Sequence, residues 1–140
     1  MPEKVRRTFV FPLNSGGLVT EIRYLADGKN KESDIKVYVQ ELLLGPQNHR
    51  GMNLLTPGTK INNIFVREDV LYVDFAESAL LPGMNTVDNL LGLPLIEKNV
   101  FTNFKNIDTI ILYINGNIVY EDWDILTEKS VNSFLKEQGY

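Results

Sequence analysis

The residues with chemical potential are few and scattered. His49 is the single histidine and lies in the polar run Asn48-His49-Arg50. An imidazole acting as general base needs a nucleophile or carboxylate within hydrogen-bond reach, and neither adjoins it, so a surface-loop role is expected. The serines occupy no G-x-S-x-G elbow. With no cysteine in the chain, thiolate nucleophiles, disulfides and cysteine-based zinc sites are excluded. Gly16-Gly17 lacks the Lys-Ser/Thr sequel of a phosphate loop and reads as a turn. Glu121, Asp122 and Asp124 cluster around Trp123, but Ile125 and Leu126 interrupt the spacing of oxygen ligands that a calcium loop requires. A solvated acidic turn is expected there, with no metal dependence. A hydrolase pairing Asp74 with Glu121 or Asp122 would need set spacing and a tuned pKa, which the sequence does not display. These residues predict no catalytic set, no cofactor and no metal.

The aromatic residues carry more information, through the strands that hold them. Ile64 and Val66, then Leu71, Val73 and Phe75, alternate across a tight turn near Glu68-Asp69, which is the pattern of a hairpin. Ile110, Leu112 and Ile114, then Asn115-Gly116, then Ile118 and Tyr120 give another, since Asn-Gly suits a type I′ turn. If these residues face a core, alternation sends Phe65, Tyr72, Asp74, Ile111 and Tyr113 to the opposite face, with Val119 joining them. Such a patch suits a protein partner. The competing expectation is that the terminal segment, with Trp123 and Phe134, folds back over it.

Further elements complete the frame. Phe9, Phe11 and Leu13 alternate with Thr8, Val10 and Pro12, and Asn14-Ser15-Gly16-Gly17 turns the chain into a second strand, about Leu18 to Ala26. Leu18, Ile22 and Tyr24 fall on one face of that strand, Glu21 and Arg23 on the other. Ile35, Tyr38, Val39, Leu42 and Leu43 then recur at helical spacing, with Ser33 expected as the cap and Gly45-Pro46 as the stop. Residues 47–59 read as an ordered loop. From Asn85 to Phe104 two apolar phases flank Gly92 and Pro94, predicting a helix in two pieces, because proline removes one helical hydrogen bond and clashes with the preceding turn. A short helix is expected over Thr127 to Leu135.

The order ββαββαββ with a helical tail predicts an α+β two-layer sandwich: a mostly antiparallel sheet built from hairpins, with helices on one face and the other partly open. At 140 residues and 44% hydrophobic content the chain fits one domain, residues 1–140, with a core over about 7–121 and a tail over 122–140. A formal net charge of -4 disfavours nonspecific binding to nucleic acid or anionic lipid. No apolar run approaches a membrane span and residues 1–7 hold no signal-like stretch, so contact with a membrane is expected only through an anchor outside these residues.

Several segments resemble the GerMN domain of sporulation and spore germination: Leu43-Leu44-Gly45-Pro46, Leu55-Thr56-Pro57-Gly58-Thr59-Lys60-Ile61, Leu71-Tyr72-Val73-Asp74-Phe75 and the stretch from Phe101 to Gly116. The resemblance covers about Arg7 to Glu121. Ala76 stands where the family pattern has Ser, and the Ala79 to Pro94 linker is longer than usual. The resemblance implies a fold akin to ring-building motifs, an extracytoplasmic, membrane-tethered location, and a scaffolding role through protein partners in the bacterial cell envelope, without catalysis. The alternative is a peptidoglycan or glycan binder, with Tyr72, Tyr113 or Trp123 stacking on sugars beside Asp74 and Asn63.

Overall fold

The computed structural model describes residues 3–120 and 126–140. Strands β1 (Lys4–Pro12) and β2 (Leu18–Ala26) form an antiparallel hairpin that is a two-stranded sheet of its own among the described residues. Helix α1 (Lys31–Leu43) follows, then β3 (Ile61–Arg67), β4 (Val70–Phe75), a 3-10 turn (Glu77–Leu80), α2 (Asn89–Asn103), β5 (Thr109–Ile114), β6 (Asn117–Ile118) and α3 (Glu128–Glu137). The second sheet runs β3-β4-β5-β6. Antiparallel pairs predominate, but β4 and β5 are parallel, because α2 carries the chain back before β5 begins. The α+β architecture is as expected, divided into two sheets.

The apolar alternation builds the core. Phe9, Phe11, Ile35, Tyr38, Val39, Leu42, Leu71, Phe75 and Leu95 are wholly enclosed, and Leu54 and Leu55 fill it from the 47–59 loop. Asn115 and Gly116 both adopt positive φ, as a type I′ turn requires.

Two local expectations are corrected, and the inward face of β2, which the alternation left open, is assigned. Asn30, not Ser33, caps α1: its side chain accepts the Ser33 N–H at 2.9 Å, so the helix starts a turn earlier and Ser33 supplies the donor. The helix containing Pro94 is one piece beginning at Asn89. The bond Pro94 forfeits is the one to Leu90, in the solvent-facing first turn where Leu90 is 77% exposed. Gly92 lets this helix touch the 47–59 loop, since any Cβ there would collide with the Leu54 carbonyl. On β2 the polar face is the buried one: Arg23 is enclosed while Ile22 and Tyr24 are exposed.

The burial of Arg23 has its cause in α1. The Arg23 guanidinium lies 4.7 Å from the Phe9 ring, bonds the Gly45 carbonyl at 2.9 Å, and pairs with Glu21 at 2.6 Å and Glu41 at 3.3 Å. It places positive charge at the carboxyl end of a helix whose own last turn has no basic residue. Burial pushes the Glu21 carboxyl up, but bonds from Arg23 and from the Asn48 and Gln47 N–H groups, with the guanidinium charge, outweigh this and hold it below its ordinary range.

Hairpin β1–β2 is fastened to α2 by asparagines. Asn99 accepts the Val10 N–H at 2.8 Å and donates to the Val10 carbonyl at 2.9 Å; Asn103 repeats the pattern on Thr8, at 2.9 and 2.8 Å. Four residues of helix rise roughly 6 Å and two of strand roughly 6.8 Å, so two side-chain amides one helical turn apart imitate a neighbouring strand. They satisfy an edge that would otherwise be buried unpaired.

Candidate interaction surface

The register of the second sheet assembles the outward residues into two rows. Phe65, Tyr72 and Ile111 are cross-strand partners in one; Asn63, Asp74, Tyr113 and Ile118 form the other. Their neighbours Leu71, Val73, Phe75, Leu112 and Ile114 are buried against the helices, so alternation forces the rows outward. The Phe65 and Tyr72 rings stack with centroids 4.9 Å apart and planes 13° from parallel, and the Arg67 guanidinium lies 5.1 Å from the Phe65 ring. Beside them opens a shallow depression of about 300 Å³ lined by Asn63, Phe65, Tyr72, Asp74, Tyr113 and Gly116. Asp74 accepts the Gly116 N–H at 3.0 Å, so part of its carboxylate fixes the β5–β6 turn. The five outward residues Phe65, Tyr72, Asp74, Ile111 and Tyr113 are half-buried.

Val119 is corrected. Ile118 opposes Tyr113 and shares its outward face, which turns the next residue inward, and Val119 packs on the core. The expected terminal helix is present as α3, but it packs on α2 through Val131 and Leu135, leaving the sheet rows uncovered by it. Thr127 caps it, exchanging hydrogen bonds with Ser130. Glu121, Asp122, Trp123 and Asp124, and so the acidic turn and the tryptophan expected over the sheet or against sugars, lie outside the described residues. His49 is exposed in its loop.

One acid escaped the sequence reading. Glu97 on α2 has no solvent exposure, and the Tyr120 hydroxyl donates to it at 2.9 Å. Burial pushes its carboxyl well above the usual range, against the lowering effect of that bond, and burial with the adjacent carboxylate pushes the Tyr120 phenol up as well. Only the pairing with Tyr120 across the fold reveals it, since at helical spacing a single Glu reads as a solvated face. With no exposed surface, Glu97 meets no substrate in this conformation. Among the described residues no group of three or more His, Asp or Glu side chains is placed to hold a metal ion, and no helix is long and apolar enough to cross a membrane.

An α+β module with buried structural polar groups and a half-open aromatic sheet face is the class that fold and surface define. The Germane family profile, described as sporulation and spore germination, matches residues 9–120, and the chain belongs to that family. It is 29% identical over 99 residues to an uncharacterized lipoprotein of Treponema pallidum, covering 71% of this chain and 74% of that protein. The fold is similar to the tandem GerMN domains of the sporulation protein GerM from Bacillus subtilis, with a TM-score of 0.66 and 19% identity over 84% of this chain. The chain spans 41% of that tandem structure. Against the first GerMN domain of the same protein the TM-score is 0.60 and the identity 17%, covering 88% of this chain and 92% of the other.

Proposed function

We propose that this chain is a noncatalytic interaction module of the bacterial cell envelope, held outside the cytoplasmic membrane by an anchor in the full-length protein. Its partner-binding surface is the outward face of β4 and β5, where Phe65, Tyr72, Asp74, Ile111 and Tyr113 meet. The observation that carries this reading is the pair of aromatic rows that α3 leaves uncovered. Half-buried rings held in register are preorganised contacts, and aromatic anchors dominate many interfaces. Membership of the Germane family and likeness to a lipoprotein support the location.

Replacing Tyr72 and Tyr113 together by Ser tests it. Loss of the Phe65 stack and of cross-strand contacts should cost about 1–2 kcal/mol in denaturant unfolding. Recovery of crosslinked envelope protein by the tagged domain should fall to background. Unchanged recovery rejects this surface. A glycan reading has one observation in its favour, the depression that sets Tyr72 and Tyr113 beside Asp74 and Asn63. Cosedimentation with purified peptidoglycan, lost in the same double variant, would replace the protein partner by a wall polymer.

A further inference from the structure

Large apolar side chains project from the stretch that links the 3-10 turn to α2. Leu80, Leu81, Met84 and Leu90 are 58%, 61%, 91% and 77% exposed. A loose loop would turn such groups inward, but this one is pinned. Thr56 donates its hydroxyl to the Leu81 carbonyl, Asn89 donates to Ala79 at 3.0 Å, and Asn85 donates to Gly51 at 2.8 Å. Asn53 and the 85–87 segment exchange backbone bonds at 2.7 and 3.0 Å. The loop therefore presents its apolar groups at little further entropic cost.

Between the projecting residues lies a depression of about 340 Å³, lined by Leu80, Leu81, Pro82, Val87 and Asp88 among others. Among the described residues of its lining the one charged side chain is Asp88, and Glu77 is exposed three residues before Leu80 on the 3-10 turn. An anionic bilayer would be repelled by such a rim, since apolar segments that enter membranes carry basic residues with them. A second copy docking by the same patch would oppose like charges.

We infer that this patch is a second docking site, separate from the aromatic sheet rows, for a basic amphipathic protein segment. An apolar side chain of the partner fills the depression, and flanking Lys or Arg meets Asp88 and Glu77.

Selection of a random peptide display library on the folded domain tests this. The expected winners carry an aromatic or aliphatic anchor flanked by Lys or Arg. Their affinity should fall about tenfold or more with Leu81→Ser plus Met84→Ser, at unchanged thermal midpoint. Glu77→Gln with Asp88→Asn should flatten the salt dependence of binding, and Asn at position 88 still caps α2. Three outcomes overturn the inference: no enrichment or winners without basic residues; winners that bind the Leu81→Ser plus Met84→Ser variant equally well; or a patch-dependent activity of another kind, read as phosphatidylglycerol vesicle binding or as dimerisation in sedimentation that this variant abolishes.

Discussion

The two sheets are joined to the helices by different mixtures of apolar and polar contact. The second sheet is fastened mainly by apolar contact, with Leu71, Val73, Phe75, Leu112 and Ile114 buried on one face, and α1 adds two bonds at its edge: Glu32 accepts the Val66 N–H at 2.8 Å and Lys31 donates to the Glu68 carbonyl at 3.0 Å. The β1–β2 hairpin adds directional bonds, with Asn99 and Asn103 pairing to Val10 and Thr8, Tyr38 donating to the Thr8 carbonyl at 2.7 Å, and Arg23 holding the end of α1. Apolar burial supplies most of the free energy but is tolerant of sliding, whereas a helix that imitates a strand accepts only one register.

The largest expected effect tests the apolar side. Leu42 is fully enclosed beneath the sheets, and Leu42→Ala should lower stability by about 2–5 kcal/mol through lost transfer energy and the cavity left behind. A denaturant midpoint shifted by only a few tenths of a kcal/mol would break the assignment of that helix face.

Asn99→Ala probes the polar side. It leaves the buried Val10 N–H and carbonyl unpaired, and about 2–4 kcal/mol should be lost. The comparison sharpens if hydrogen exchange then rises selectively at Val10 and Thr8 while β4 and β5 keep their protection. Uniform acceleration would show that the amides contribute only as packing.

The smallest effect concerns the acids. Glu21, held below its ordinary range, contributes stability above that range which is lost as pH falls through its folded pKa. Glu97 has the opposite sign. Its folded pKa is raised, so the native state binds the extra proton, and stability declines as pH climbs from the ordinary carboxyl range, near 4.5, to the raised value. One proton gives a slope of at most about 1.4 kcal/mol per pH unit. Glu97→Gln should remove that decline, so that chemical denaturation gives a flatter stability profile from pH 5 upward. A variant profile parallel to the parent's would assign the titration to other groups.

Much of the frame was legible in order along the chain. The alternation of β4 and β5, the apolar stripe of α1 and the Asn115-Gly116 turn are local signals, because periodicity and φ preference are properties of neighbouring residues. The outward positions of Phe65, Tyr72, Asp74, Ile111 and Tyr113 followed from the same alternation. What was misread or left open depends on distant partners. Arg23 is buried because α1 ends against it, and Asn99 meets Val10 across 89 residues. Asn30 wins the cap from Ser33 by the orientation of the chain entering the helix, and Pro94 is tolerated because its missing bond falls in an exposed turn.

The sequence by itself determined which residues repeat at strand or helix spacing, where the chain reverses, and that no cysteine chemistry operates. The tertiary structure decided which polar groups go inside. A buried charge or amide is tolerable only where partners arrive to bond it, and those partners, Gly45 for Arg23, Val10 for Asn99 and Tyr120 for Glu97, come from elements that only the folded chain brings together.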